Sequence, residues 1–402
     1  MLINTNTHSV NLDPRDAQFY ANPYPAYRRL HAECPVFKWE QYGHWCFARY
    51  DEVNALLRDR RFGRQILHVA TREELGWTDV QSHVRVFADH EQHSLLELEP
   101  PVHTRLRGLI NRAFLSRTIE RLRPFLLNLS NRLIDGFQTR DEVELLAAYA
   151  TPIPVLVICE LLGVPPQMAD QFLKWSHDHV AMYMAKRDRV IEDRAVKAVT
   201  EFSDYMRNLI AHRRKDLRDD LLSELIRAES QGQKLSEDEL VTTAILILNA
   251  GHEATVHSLG NGIKAMLERG LTGPITPELV DEILRFDAPL HMFTRYALED
   301  MEYSGLQLKK GETVGLMLGA ANHDAARFDQ PDIFNPTRAQ NNHVSFGAGI
   351  HFCVGAPLAR LEMLVALEVL FSRLPKLRLA AQPRYKDVYH FHGLESLLVH
   401  SR

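Results

Sequence analysis

The stretch "FGAGIHFCVG", residues 346 to 355, sets Cys353 among glycines at positions 347, 349 and 355. Glycine lets a backbone turn tightly and approach another group closely, and no second cysteine lies nearby in sequence. A thiol so placed can be a nucleophile, a metal ligand or a small core residue. The run that follows, "VGAPLARLEMLVALEVLFSRL", is apolar at helical spacing, so the thiol sits where a loop enters a helix. Backbone N–H groups at such a junction stabilise a thiolate and would make it a ligand or nucleophile, while an isolated cysteine is more often a buried core residue. The four cysteines, Cys34, Cys46, Cys159 and Cys353, have no paired spacing. That argues against a disulfide framework and for a reducing compartment, where the thiol is available to a metal.

Other residues invite chemistry less strongly. "HDH" at 177 to 179 and "HFH" at 390 to 392 suggest zinc, yet neither has Cys or His partners at structural-zinc spacing, so no metal is expected there. The absence of a CxxCH motif excludes covalent c-type haem attachment by the usual route. Glu282 and Arg285, three apart in "VDEILRF", would by themselves read as a surface pair worth a few tenths of a kcal/mol.

The elements that must position these residues are mostly helices, patterned from about residue 100 to 290, with short strand-like runs at "PVFKWE" and "HWCFAR". Ser236 and Glu239 form a capping box ahead of a long apolar segment too polar and too broken by glycine to span a bilayer. Thr276 and Pro277 open a further helix, which Pro289 closes. Beyond it lies a long irregular stretch rich in Asn, Asp and Pro, of the kind that usually serves a site. With 402 residues, 45% of them hydrophobic, and no linker or repeat, the chain is expected to be one domain over 1–402 that can bury a large cofactor, with a tail at about 1–11. A net charge of −5 is too modest to imply nucleic acid as a partner. No signal pattern or 18-residue apolar run appears, so a cytoplasmic protein without a membrane anchor is expected.

Phe346-Gly347-x-Gly349-x-His351-x-Cys353-x-Gly355, followed by "APLAR", resembles the haem-binding signature of cytochromes P-450, the haem-thiolate monooxygenases. Three further stretches in the family's order extend the resemblance from about residue 12 to the end. It implies a mainly α fold with a small β region, holding haem b (iron protoporphyrin IX) between a long distal helix and the proximal cysteine loop. Cys353 would then be the iron ligand, its sulfur donating electron density that favours O–O cleavage. Phe346 would shield the sulfur, and Gly347 and Gly355 would let backbone amides approach it.

The same resemblance assigns the other residues. Glu282 and Arg285 are similar to the family's buried pair, which ties to the meander before the haem loop. His103 and Arg107 in "PPVHTRLRGLINRAF", with Arg295 in "FTRYALED" and His351, are similar to the partners of the haem propionates. "NAGHEATVHS" looks like the oxygen-binding groove of the distal helix, in which the missing side chain of Gly251 makes room for ligand. Glu253 matches the acidic residue there, but the usual threonine, whose hydroxyl steers protons to dioxygen, is Ala254. Thr255 is next along, about 100° around the helix, and cannot simply point the same way. By position, Leu246 and Ala250, then Leu290, Met292 and Phe293, together with "FHGLES" near the end, resemble pocket-lining residues.

A monooxygenase that inserts one atom of O2 into an apolar organic molecule is therefore the expected enzyme. The chain carries no flavin or nicotinamide motif and no iron–sulfur cysteine cluster, so a separate ferredoxin and its reductase are implied, with the enzyme a monomer. Arg105 and Arg112 are the arginines expected to meet ferredoxin. A cysteine hydrolase would lack a coloured cofactor, and a haem gas sensor or carrier would lack turnover.

Overall fold

In the computed structural model, which describes residues 1–114, 119–183, 187–230, 235–339 and 341–402, helices dominate and the sheets are small. Met1–Val69, Leu126–Thr151 and Ala254–Arg402 form one compact unit, and Ala70–Phe125 with Pro152–Glu253 form another. The division falls inside one helix, Glu237–Leu267.

The first unit contains the sheets. "PVFKWE" and "HWCFAR" supply strands Val36–Trp39 and His44–Phe47, paired antiparallel with Val36 opposite Phe47. They belong to a seven-stranded sheet in the order Leu2–Asn4, Ser9–Asn11, Val36–Trp39, His44–Phe47, Thr313–Leu316, Phe293–Ala297, Phe62–Gly63. Residues 1–11 are thus not a tail. Ser9–Asn11 runs parallel to Val36–Trp39, and Val10 is fully buried, because its backbone completes the sheet and its side chain joins the core. That core holds Tyr27, Phe37, Trp39 and Met292 in one cluster and Phe47, Leu316 and Phe328 in another. Trp39 also satisfies its indole N–H, which donates to the Leu12 carbonyl at 2.7 Å.

Thr276 caps helix Pro277–Phe286, accepting the Leu279 N–H at 3.2 Å, and the helix stops before Pro289 as expected. In the helical unit, Phe172 and Trp175 on Ala169–Val180 pack on Phe202 of Arg189–Arg213, with the Trp175 and Phe202 rings stacked at 5.0 Å. The capping box opens the long helix: Glu239 N–H donates to Ser236 Oγ at 3.1 Å, and Ser236 N–H to Glu239 Oε2 at 2.8 Å. No helix among the described residues is long and apolar enough to cross a membrane.

Candidate haem-thiolate site

Cys353 follows a short 3-10 turn, Gly349–His351, and lies just ahead of helix Ala356–Arg373. The loop is closed by its own backbone: Gly347 N–H donates to the Val344 carbonyl at 2.8 Å, and Cys353 N–H to Phe346 at 2.9 Å. Gly347 and Gly349 adopt left-handed φ values of 68° and 71°, which a side chain disfavours. A Cβ on Gly349 would lie 2.3 Å from the Leu57 carbonyl oxygen, so only glycine permits that approach. A Cβ on Gly355 would stand 3.8 Å from the Cys353 sulfur. The Phe346 ring lies under the Arg360 guanidinium, 4.6 Å from its centre, and Arg360 in turn donates to Asp281 at 2.7 Å.

The four thiols differ in setting. Cys34, Cys46 and Cys159 are buried, and desolvation raises all three, Cys159 to about 11. Cys353 alone is partly exposed. A partly exposed thiol in a glycine-rich loop just ahead of an 18-residue helix suits a thiolate ligand.

Glu282 and Arg285, which spacing alone would put on a surface, are both fully buried. Arg285 grips both carboxylate oxygens at 2.8 Å and donates to the carbonyls of Asn322 and Pro331 at 2.8 and 2.9 Å. Glu282 also accepts the Asn335 N–H at 2.8 Å and Arg338 Nε at 3.2 Å. The pair therefore organises the irregular stretch that leads to the cysteine loop. Strand Phe293–Ala297 reaches the same loop, since a Cβ on Gly347 would meet the Phe293 ring at 3.4 Å. Arg295, two residues on and buried, donates to the Thr294 carbonyl at 2.8 Å. His351 is half-buried in the cysteine loop itself.

His103 and Arg107 lie on helix Val102–Ala113 of the helical unit, His103 buried and Arg107 donating to Asn111 Oδ1 at 2.8 Å. Arg105 of that helix is in an ion pair with Glu239. On the long helix, Leu246 and Ala250 are four apart, one half-buried and one exposed. Glu253 and Ala254 are half-buried and Thr255 is buried. The Ala254 carbonyl accepts the Ser258 hydroxyl at 2.8 Å. A Cβ on Gly251 would meet Ile158 Cδ1, on helix Pro152–Leu162, at 3.0 Å.

Leu290 bridges Phe391 as an isolated antiparallel pair, which joins "PLHMF" to "FHGLES". Met292 is 4% exposed and belongs to the core cluster of Phe37 and Trp39, its sulfur 3.1 Å from where a Cβ on Gly315 would be. Sequence spacing also missed two clusters: His90, Glu91 and His179, and Asp287, His291 and His392. In each, a histidine of "HDH" or "HFH" meets partners that are remote in sequence, so no local pattern could have signalled them.

Such a cysteine loop on a mainly helical frame defines a haem-thiolate class of protein, and comparison with known proteins agrees. The family described as Cytochrome P450 matches residues 67–269 and 274–388. The polyketide biosynthesis cytochrome P450 PksS of Bacillus subtilis is 36% identical, over 96% of this chain and 97% of its own. Vitamin D(3) 25-hydroxylase of Pseudonocardia autotrophica is 37% identical, over 94% and 92%. Among solved structures, P450BioI in complex with an acyl carrier protein ligated to hexadec-9Z-enoic acid superposes with a TM-score of 0.87 at 32% identity, over 95% of this chain and 99% of that one. The chain belongs to the cytochrome P450 family, monooxygenases that use haem b with a proximal cysteine.

Proposed function

We propose that Cys353 is the proximal thiolate ligand and that the protein, a cytoplasmic monomer, hydroxylates a small or medium apolar organic substrate with electrons from a separate ferredoxin and its reductase. The observation that carries this reading is the contrast among the thiols, three buried and raised in pKa and one partly exposed in a glycine-rich loop ahead of a helix. When bound, the haem supplies reductive activation of dioxygen: two electrons and two protons are consumed, one oxygen atom enters a C–H bond and the other leaves as water. The chain contributes the surroundings. Phe346 shields the sulfur on one side. His103, Arg107, Arg295 and His351 neutralise the propionates, which are costly to bury uncompensated. Leu246 and Ala250 on the long helix, and Leu290 and Phe293 by the cysteine loop, are assigned to apolar substrate contact. The names of the relatives, polyketide biosynthesis and vitamin D(3) 25-hydroxylation, concern largely apolar skeletons and support that class.

Ala254 alters proton delivery. Without a hydroxyl there, and with Thr255 buried and about 100° further round the helix, protons are assigned to a polar group carried by the substrate itself, in preference to ordered water held by Glu253 and backbone groups, because geometry governs such transfer. The thiolate assignment is tested by reducing the haem-loaded protein under carbon monoxide. The Soret band is expected at the thiolate position and to move to the histidine type in Cys353→His; a histidine-type band in fresh native protein overturns the assignment. Compounds that displace water from the iron, read as a spin-state shift and then as NADH-driven product with ferredoxin and reductase, identify the substrate.

A further inference from the structure

The "HDH" segment ends helix Ala169–Val180, and there His179, only 3% exposed, faces His90 and Glu91 at the end of helix Arg85–Glu91. The ligand atoms of the three side chains all lie within 4.8 Å of one another. His179 Nε2 stands 3.3 Å from Glu91 Oε1, and the His90 and His179 rings are 5.6 Å apart at 75°. A tetrahedral zinc ion bound at its usual distances to imidazole nitrogen and carboxylate oxygen sets neighbouring ligand atoms roughly 3.3 Å apart and two imidazole centres roughly 5 Å apart. The observed separations are therefore close to those of a formed site, and side-chain adjustment suffices to reach it.

The surroundings support ligation. Tyr183 donates its hydroxyl to the other oxygen of Glu91 at 2.6 Å, which orients the carboxylate, and Thr242 Oγ1 is 3.4 Å from His90 Nδ1. Outer contacts of this kind hold ligating carboxylates and histidines in place. His179 Nε2, the nitrogen facing Glu91, also lies 3.3 Å from the Tyr183 hydroxyl. Tyr183 is 51% exposed, so solvent and ions reach the cluster along its side. The second cluster is less suited. Its His291 and His392 rings are 4.3 Å apart at 40°, closer to stacking, and both oxygens of Asp287 already accept hydroxyls, from Tyr24 and Tyr385.

We propose that His90, Glu91 and His179 bind one zinc(II) ion, with a fourth position open to water, and that the ion clamps helix Arg85–Glu91 to helix Ala169–Val180. Between these helices the Phe87 ring lies 4.8 Å from that of His179, and Phe87 also shares an apolar cluster with Met182 and with Ala195 and Val199 of helix Arg189–Arg213. A bound ion adds a link whose strength depends on metal supply.

The test uses haem-loaded protein expressed with added zinc and dialysed into metal-free buffer, with zinc and iron counted by mass spectrometry. One zinc per iron is expected in the wild type. Titration against a chromophoric chelator should show at least roughly tenfold weaker zinc binding in His90→Asn and in His179→Asn, and none in His291→Asn. Zinc should also slow amide exchange over residues 85–91 and 169–180 in the wild type but not in His90→Asn. Should the buried His179 variant fail to fold, the half-buried His90 variant still decides the matter. Wild-type protein that keeps no more zinc than His90→Asn, or zinc lost on changing His291 and retained on changing His90, overturns the proposal.

Discussion

Ala254 is the residue whose side chain most alters the expected chemistry. Its carbonyl is engaged by the Ser258 hydroxyl, and the position has no hydroxyl of its own to offer. A substrate bearing a hydroxyl, carboxyl or amide near the oxidised carbon should therefore couple NADH use to product, and its analogue lacking that group should release peroxide. In Ala254→Thr the analogue should regain part of its coupling. An analogue that couples as well as the parent in the unmodified enzyme would move proton delivery to ordered water. Cys353 shows the opposite relation between residue and context, because its chemistry depends on neighbours that leave it partly exposed while desolvation raises the other three thiols.

At the scale of elements, helix Pro277–Phe286 and the irregular stretch after it depend on one buried pair. Removing one partner leaves the other charge buried, so Arg285→Ala should cost roughly 3–5 kcal/mol, and Arg285→Lys should also destabilise because it loses the two-pronged grip on Glu282. Urea unfolding of the haem-loaded protein measures both; Arg123→Ala, at a surface pair 37% and 59% exposed, should stay within about 0.5 kcal/mol. Helix Ala356–Arg373 carries a different strain. Glu362 is 1% exposed, its Oε1 has no partner among the described residues, and burial pushes its pKa from 4.5 up to about 8. Below about 4.5 the folded and unfolded chains both hold that proton. As pH rises towards 8 the unfolded chain releases it first, so stability falls across this window. Glu362→Gln should abolish that slope, matching the wild type near pH 4.5 and exceeding it by on the order of 2–4 kcal/mol above pH 8. Thermal unfolding across pH tests this; an unchanged slope in the variant would place the proton elsewhere.

For the whole molecule, the net charge of −5 does not select a partner, so recognition of the proposed ferredoxin would rest on local basic groups. Arg105 is in an ion pair with Glu239, and Arg112 donates to the Gly108 carbonyl at 3.2 Å. Charge reversal in Arg112→Glu should slow the first reduction by ferredoxin through association, and added salt should slow the wild type in the same manner. Reduction insensitive to both would place the docking surface on other residues.

Local patterns were legible without a structure because they act over one helical turn or one strand. The Ser236–Glu239 box, the Thr276 cap, the two early strands and the glycines around Cys353 are all short-range constraints of backbone geometry. Tertiary structure decided whatever depended on residues far apart in the chain. It drew residues 1–11 into the sheet and gave Arg285 its carbonyl partners at Asn322 and Pro331, which spacing alone could not name although the family resemblance implies a buried pair. It also supplied His179 with His90 and Glu91, across some ninety residues of sequence. Hydrogen bonds and ligand sets need atoms within a few ångströms, and only the folded chain brings such distant residues that close.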